Sequence, residues 1–266
     1  MAGMAAAADR VTQTVVLAAG LGVRLAGSDA SVPKPLITVA GLPLIAHALA
    51  HAAASGCDEA VIVIGHEGAR VRGAVESLMH TPEGHAAIGR ISVRFVENPD
   101  PTTPNGHSLL VSEPCVRDRF FLQMVDHLFA EPVLRRLTSP PIDDCTAGRV
   151  LVDRAPVELD LSDATKVRLD GDRVTAIGKA TEPWDAIDAG CFLLTPLVFA
   201  ALKRVPASEP RTVSAAMRLL VDQRALGASE LHGVRWMDVD TPADRAAAER
   251  LLATQSAGAI GGAPRL

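Results

Sequence analysis

Tyrosine is absent from this chain of 266 residues, and aromatic side chains of every kind make up only 3% of it. With alanine so abundant, that shortage reads as the codon bias of a GC-rich genome. Net charge is −5 and the pI is about 5.9, so no basic excess advertises a nucleic acid or an anionic membrane as partner. Cysteine is scarce as well. Cys57, Cys115, Cys145 and Cys191 are far apart and form no Cys-x-x-Cys pair, which excludes zinc-site spacing. Four reduced thiols in a cytoplasmic protein are expected instead. No apolar run approaches the roughly 20 residues of a membrane span. Residues 1–11 are alanine-rich, carry Asp9 and lack a long apolar run, so a disordered leader is expected there, not a signal peptide. The Gly/Ala/Ser segment from Thr254 to Leu266 is expected to be a flexible tail.

Between these ends the chain is long enough for one large domain with a sizeable core. Its most informative stretch is Val15-Val16-Leu17-Ala18-Ala19-Gly20-Leu21-Gly22-Val23-Arg24-Leu25, with Pro33-Lys34-Pro35 after it. Four apolar residues running into a small-residue loop predict a buried parallel strand that empties into a tight turn. Ala18, Ala19, Gly20 and Gly22 leave room for a ligand to press against the backbone and collect its N–H donors. Arg24 and Lys34 add two positive charges, which is what a triphosphate needs. A P-loop is excluded because no Lys-Ser/Thr follows the second glycine. The dinucleotide fingerprint fails because its third glycine position is Leu25. Two glycines after a strand by themselves make only a turn; the two cations favour the phosphate reading.

The pattern onward predicts a helix over Leu44–Ala54, a strand over Ala60–Ile64, a helix over Ala69–Met79 and a strand over Ile91–Glu97. A proline-rich loop then leads into a helix beginning at Ser108, and a strand covers Phe120–Val125. Further helices are expected over Glu131–Leu137, Pro196–Leu202, Val213–Ala225 and from Thr241 to Ala253. Strands are expected over Arg149–Asp153, Ala164–Leu169, Arg173–Ile177, Ala189–Leu194 and Gly233–Val239, with Asp170-Gly171-Asp172 as a hairpin turn. The fold class is α/β: a Rossmann-like, doubly wound, mixed and mainly parallel sheet with helices on both faces. One domain over 12–253 is expected, with a nucleotide-binding half to about residue 130 and an acceptor-binding half after it.

Asp126 stands at the carboxyl end of a buried strand, where open α/β sheets bind ligands. A carboxylate there can hold a divalent ion against phosphate oxygens, although an aspartate at a strand end also makes turns and helix caps. Asp240, before Thr241-Pro242, is a second such carboxylate and equally a good helix cap. Together the two suit one Mg2+. Lys179 follows the hairpin and suits a phosphate, though a solvated lysine is the plainer reading. Asp188 suits substrate hydroxyls or a turn. His66, His107 and His127 lack the i, i+4 spacing of zincins and read as loop histidines. Ser108 lies in no Gly-x-Ser-x-Gly elbow, which speaks against a hydrolase.

Leu17, Ala18, Ala19, Gly20, Gly22, Arg24, Pro33 and Lys34 together resemble the signature of nucleotidyltransferases that join a nucleoside triphosphate to a sugar phosphate. The later series Asn105-Gly106-His107-Ser108-Leu109-Leu110, Asp126-His127, Asp163-Ala164-Thr165-Lys166-Val167, Ile177-Gly178-Lys179, Asp185-Ala186-Ile187-Asp188-Ala189-Gly190 and Asp238-Val239-Asp240-Thr241-Pro242 resembles the CTP:inositol-1-phosphate cytidylyltransferases. The resemblance runs from about Val15 to Leu252. It implies a GT-A-like fold and transfer of a nucleotidyl group, CTP favoured, to a phosphorylated cyclitol with release of pyrophosphate. By it, Arg24 and Lys34 are catalytic, and Leu17 through Gly20 with Gly22, Asn105 and Gly106 bind the nucleotide. Asp126 and Asp240 bind Mg2+, while Lys179, Asp188 and Gly190 bind the acceptor. Asp185 and Ala189 replace the family's Asn and Thr beside the expected polyol pocket. A hexose 1-phosphate, another cyclitol phosphate or phosphocholine are the alternative acceptors, and a non-catalytic nucleotide-binding module is the alternative class.

Overall fold

The computed structural model describes residues 10–21, 32–139, 146–157 and 160–259. Gly22, Arg24 and Cys145 lie outside the described residues, as do most of the expected leader and the end of the expected tail. Arg10 and Val11 belong to the folded body: Val11 is buried, and the Arg10 guanidinium donates to Gly56 O at 3.1 Å.

The apolar run forms β1 (Gln13–Ala18), buried at every position. It pairs in parallel with β4 (Glu59–Ile64) on one side and β6 (Phe120–Met124) on the other, and β5 (Ser92–Glu97) extends the parallel run beyond β4. Because successive side chains alternate across a strand, Val15 and Leu17 enter one core while Val16 and Ala18 enter the other. One core is roofed by α1 (Leu44–Ala54), α2 (Gly68–Met79) and α3 (Pro82–Ile88). The other is roofed by α4 (Asn105–Val111), α5 (Leu197–Arg204) and α6 (Val213–Asp222). Helices therefore cover both faces, as the pattern required.

Beyond β6 the sheet turns antiparallel. β11 (Ala186–Leu194) pairs with β6 and with β8 (Gly148–Asp153), and β12 (Leu226–Glu230) runs parallel to β8. The hairpin of β9 (Lys166–Asp170) and β10 (Arg173–Gly178) completes the order β5-β4-β1-β6-β11-β8-β12-β10-β9. Gly171 makes its turn at φ +63°, as the Asp-Gly-Asp signal implied. β9 also pairs with the start of β11, so this half curls back on itself. Two short ladders stand apart: β2 (Thr38–Val39) with β3 (Leu42–Pro43), and β7 (His127–Phe129) with β13 (Trp236–Asp238).

Several expected boundaries differ. Glu131–Leu137 is not an α-helix; Leu134–Thr138 is a 3-10 stretch. Helix α6 stops at Asp222, short of the expected Ala225, and Leu226–Glu230, where no element was expected, is a mostly buried strand. Helix α3 went unpredicted although Thr81 caps it, its hydroxyl accepting from Gly84 N at 3.0 Å with Pro82 at the first helical position. The last helix, α7 (Pro242–Ala259), runs past Ala253, so the expected tail begins helical. Among the described residues no helix is long and apolar enough to cross a membrane.

Candidate active site

β1 ends at Ala18 and runs on into Ala19 and Gly20; these three with Leu17, Lys34, Thr102, Thr103, Asn105 and Ser108 line a cleft of about 450 Å³. The loop is kept small on both sides. A Cβ on Gly65 would come within 2.8 Å of Ala19 O, to which His66 N donates at 3.3 Å. A second cleft of about 320 Å³ adjoins the first and contains His127, Asp163, Thr165, Asp188, Gly190, Trp236 and Asp238. Asn105, Met124 and Asp240 line both clefts.

Lys34 stands at the junction. It opens a 3-10 turn between Pro33 and the buried Pro35, a rigid mount for a long side chain. Its ammonium is 2.5 Å from Asp126 Oδ2 and 2.5 Å from Asp240 Oδ1. The two carboxylates are 114 positions apart by residue number, and the β7–β13 ladder brings them together. Asp238 registers against His127, and Val239 N donates to Asp126 O at 2.9 Å. Burial works against the charge on Lys34, but the Asp126 and Asp240 carboxylates outweigh it and raise the lysine's pKa. Burial likewise opposes charge on Asp126, yet Lys34 and His127 hold that carboxyl far below the usual carboxylate range.

His127 is a site residue that sequence reasoning set aside as a loop histidine. Its Nδ1 donates to Asp126 Oδ1 at 2.8 Å, and its ring stacks on Trp236 at 5.6 Å between centroids. Burial opposes protonation of the ring, but Asp126, then Asp238 and Asp188, overcome it and raise the pKa. The adjacency Asp126-His127 directly after a buried strand was the available signal. Trp236 is a second omission. Its indole N–H donates to Asp153 at 2.8 Å, and Phe129 stacks against it at 6.0 Å.

The structure sorts the remaining candidates. Leu17, Ala18, Ala19, Gly20, Lys34, Asn105, Asp126 and Asp240 converge on the first cleft. Asn105 is held by a long-range contact: its Oδ1 accepts from Val213 N at 2.9 Å, which ties α4 to the start of α6. Gly106 lines neither cleft. A Cβ there would lie 2.3 Å from Arg211 O, so it is small for helix packing and not for the base. Gly190, at φ +72°, lies where the pairing of β11 with β8 shifts register; a Cβ would sit 2.3 Å from the His127 ring. Asp188 faces the second cleft and accepts from Gly190 N at 2.8 Å, and burial pushes its carboxyl up to about 6. Lys179 lines neither cleft. Its side chain is 61% exposed and pairs with Asp163, which does line the second. Asp185 and Ala189 line neither cleft: Asp185 accepts from Leu169 N at 2.8 Å, and Ala189 is core, although its neighbours Asp188 and Gly190 both face the second cleft.

Among the described residues no group of three or more His, Cys, Asp or Glu is placed to hold a metal ion. Asp126 and Asp240 offer two hard oxygen donors aimed at one point, the donor chemistry that magnesium accepts when substrate phosphates and water complete its shell.

A family model described as the MobA-like NTP transferase domain matches residues 14–147, which includes the loop, Lys34 and Asp126. The chain belongs to this family. As a member it is a nucleotidyltransferase of Rossmann-like fold. A bifunctional IPC transferase and DIPP synthase from Rubrobacter xylanophilus is 36% identical to this NTP transferase over 239 residues, covering 89% of this chain and 51% of the relative. A protein of the same name from Archaeoglobus fulgidus is 30% identical over 243 residues, covering 91% of this chain and 44% of that one. The chain thus spans about half the length of these curated relatives. Among solved structures, the inositol-1-phosphate CTP transferase from T. maritima superposes with a TM-score of 0.79 at 25% identity, covering 96% of this chain and 98% of that one.

Proposed function

We propose that this NTP transferase domain moves a cytidylyl group from CTP to the phosphate of inositol 1-phosphate and releases pyrophosphate. The observation that carries the reading is a pair of adjoining clefts that share Asn105, Met124 and Asp240, since a two-substrate transfer needs sites whose reacting ends meet. The choice of substrates is supported by the T. maritima neighbour, alike along nearly the whole of both chains, and by the relatives named IPC transferase. The nucleotide half runs to about residue 130 and the acceptor half from there to residue 253, in a cytoplasmic setting.

The acceptor's phosphate oxygen bonds to the α-phosphorus as the bond to pyrophosphate breaks. A phosphate monoester already carries negative charge near neutral pH, so no strong general base is needed. The chain's work is positioning and charge neutralisation. Leu17, Ala18, Ala19 and Gly20 let the triphosphate approach the backbone. Gly22 and Arg24, outside the described residues, are assigned to it by their motif. Lys34 lines the triphosphate cleft and reaches its metal-binding carboxylates. Asp126 and Asp240 would hold Mg2+, which when bound neutralises charge between the two phosphates. Lys179, next to Asp163 at the rim, receives the acceptor phosphate, while Asp188 and the backbone of Gly190 face the acceptor's hydroxyls.

The test is a matrix of CTP, UTP, GTP and ATP against inositol 1-phosphate, glucose 1-phosphate, phosphocholine and an aminoalkyl phosphonate, read as pyrophosphate released. The last acceptor is included because carboxylates line so much of the second cleft. CTP with inositol 1-phosphate should be fastest. Faster release with another pair would reassign the substrates, and tight CTP binding with no release from any pair would make the chain a binding module.

A further inference from the structure

Lys34 does more than face the triphosphate cleft: its ammonium fills the point on which Asp126 Oδ2 and Asp240 Oδ1 converge, at 2.5 Å from each. The side chain is enclosed, with 12% of its surface exposed, so this is no solvent-screened surface pair. A divalent ion bridging the same two oxygens needs that point. Magnesium bonds oxygen at about 2.0–2.1 Å, closer than an ammionium does, so nitrogen and metal exclude each other there. Lysine is suited to leave. It is a point charge on four methylenes, whereas its backbone is fixed between Pro33 and Pro35. It also lines the triphosphate cleft, so the ammonium has a second set of oxygens within its swing once a triphosphate arrives.

We infer that Lys34 is a built-in counter-ion that keeps bare divalent metal off the Asp126–Asp240 pair, so that metal enters only as its triphosphate complex, which draws the ammonium away. The inference rests on the reading of this pair as the metal site of a nucleotidyl transfer. It assigns Lys34 two successive partners and makes metal loading dependent on nucleotide. Without nucleotide, metal affinity is reduced by the small fraction of molecules in which Lys34 has left the carboxylates. With nucleotide that reduction disappears.

The experiment titrates Mn2+ into the full chain and follows free Mn2+ by its EPR signal, with no turnover involved; protein-free titrations at the same CTP concentration are subtracted, so that metal held by the nucleotide alone is not counted. Wild type without CTP should bind Mn2+ weakly, and saturating CTP should make binding tight. Lys34→Met without CTP should bind one Mn2+ roughly ten- to a hundredfold more tightly than wild type, because two charge-assisted hydrogen bonds no longer compete. Its melting temperature should rise with Mn2+ more than that of wild type. The double variant Lys34→Met/Asp126→Asn should lose this gain. Lys34→Gln, also uncharged but still a hydrogen-bond donor, carries the comparison if the methionine variant does not fold. If neither variant outbinds wild type while CTP still brings Mn2+ to wild type, the counter-ion inference is wrong and the transferase reading stands. If CTP brings no Mn2+ to wild type and Lys34→Met gains none, both fall. Retention of tight Mn2+ by the double variant also overturns the inference, since the metal is then held elsewhere.

Discussion

His51 on α1 offers a stability measurement whose size follows from the structure. The ring is partly buried, packed between α1, β6 and the segment before the 3-10 turn. Its Nδ1 meets Gln123 Oε1 at 2.8 Å, and its Nε2 accepts from Val133 N at 2.9 Å. An acceptor at Nε2 fixes the neutral tautomer with its proton on Nδ1. Burial depresses the pKa to about 4 against the smaller opposing pull of Gln123, whereas the unfolded chain titrates near 6.5. The unfolded state therefore takes up the proton first as pH falls. The contribution is complete above pH 6.5 and is lost between 6.5 and 4, reaching about 3 kcal/mol in full at 1.36 kcal/mol per pH unit. At pH 5.5 about 1 kcal/mol should already be gone. The assay is urea unfolding at pH 7.5 and 5.5 for wild type and for His51→Asn, which cannot titrate. Wild type should lose about 1 kcal/mol more than the variant between the two pH values. Equal losses would refute the assignment of a buried neutral ring, whatever the variant's own stability.

Other substitutions separate chemistry from architecture. Asp126→Ala should leave the circular-dichroism spectrum intact and lower pyrophosphate release at least about a hundredfold, the scale of losing one preorganised charge contact; full activity with magnesium present would reject its role. Lys179→Ala should raise the acceptor's KM far more than that of the triphosphate, and equal shifts would remove Lys179 from the acceptor site. Gly190→Ala should destabilise the protein by about 1–3 kcal/mol, from left-handed backbone strain and from collision with His127, with the loss read in urea unfolding. Trp236→Phe should cost about 1–3 kcal/mol, because the buried Asp153 loses its indole donor. A change under about half a kcal/mol would mean that water or a shifted side chain replaces that bond.

Much of the molecule was legible before any coordinates. β1, β4 and β6 are short, mainly apolar runs and β5 alternates apolar with polar residues, and local pattern sufficed for all four. Where pattern was ambiguous, tertiary context chose. Leu226–Glu230 is too short and weakly apolar to read as any element until β8 supplies a parallel partner. His127 reads as a loop residue until β13 pairs with it. The glycines divide in the same way. Gly20 lines the first cleft with open space where a methyl would stand, whereas at Gly106 and Gly190 that space is taken by Arg211 O and the His127 ring. No spacing along a chain distinguishes those causes.

The sequence by itself determined the loop after β1 and its mount for Lys34, because strand, small-residue turn and proline-flanked lysine are local signals that lie within about two dozen residues. Only the tertiary structure decided that Asp126, His127, Lys34 and Asp240 form one charged cluster between two clefts. That depends on a three-residue ladder joining β7 to β13 from opposite halves of the chain, and on burial that makes each charge depend on its neighbours.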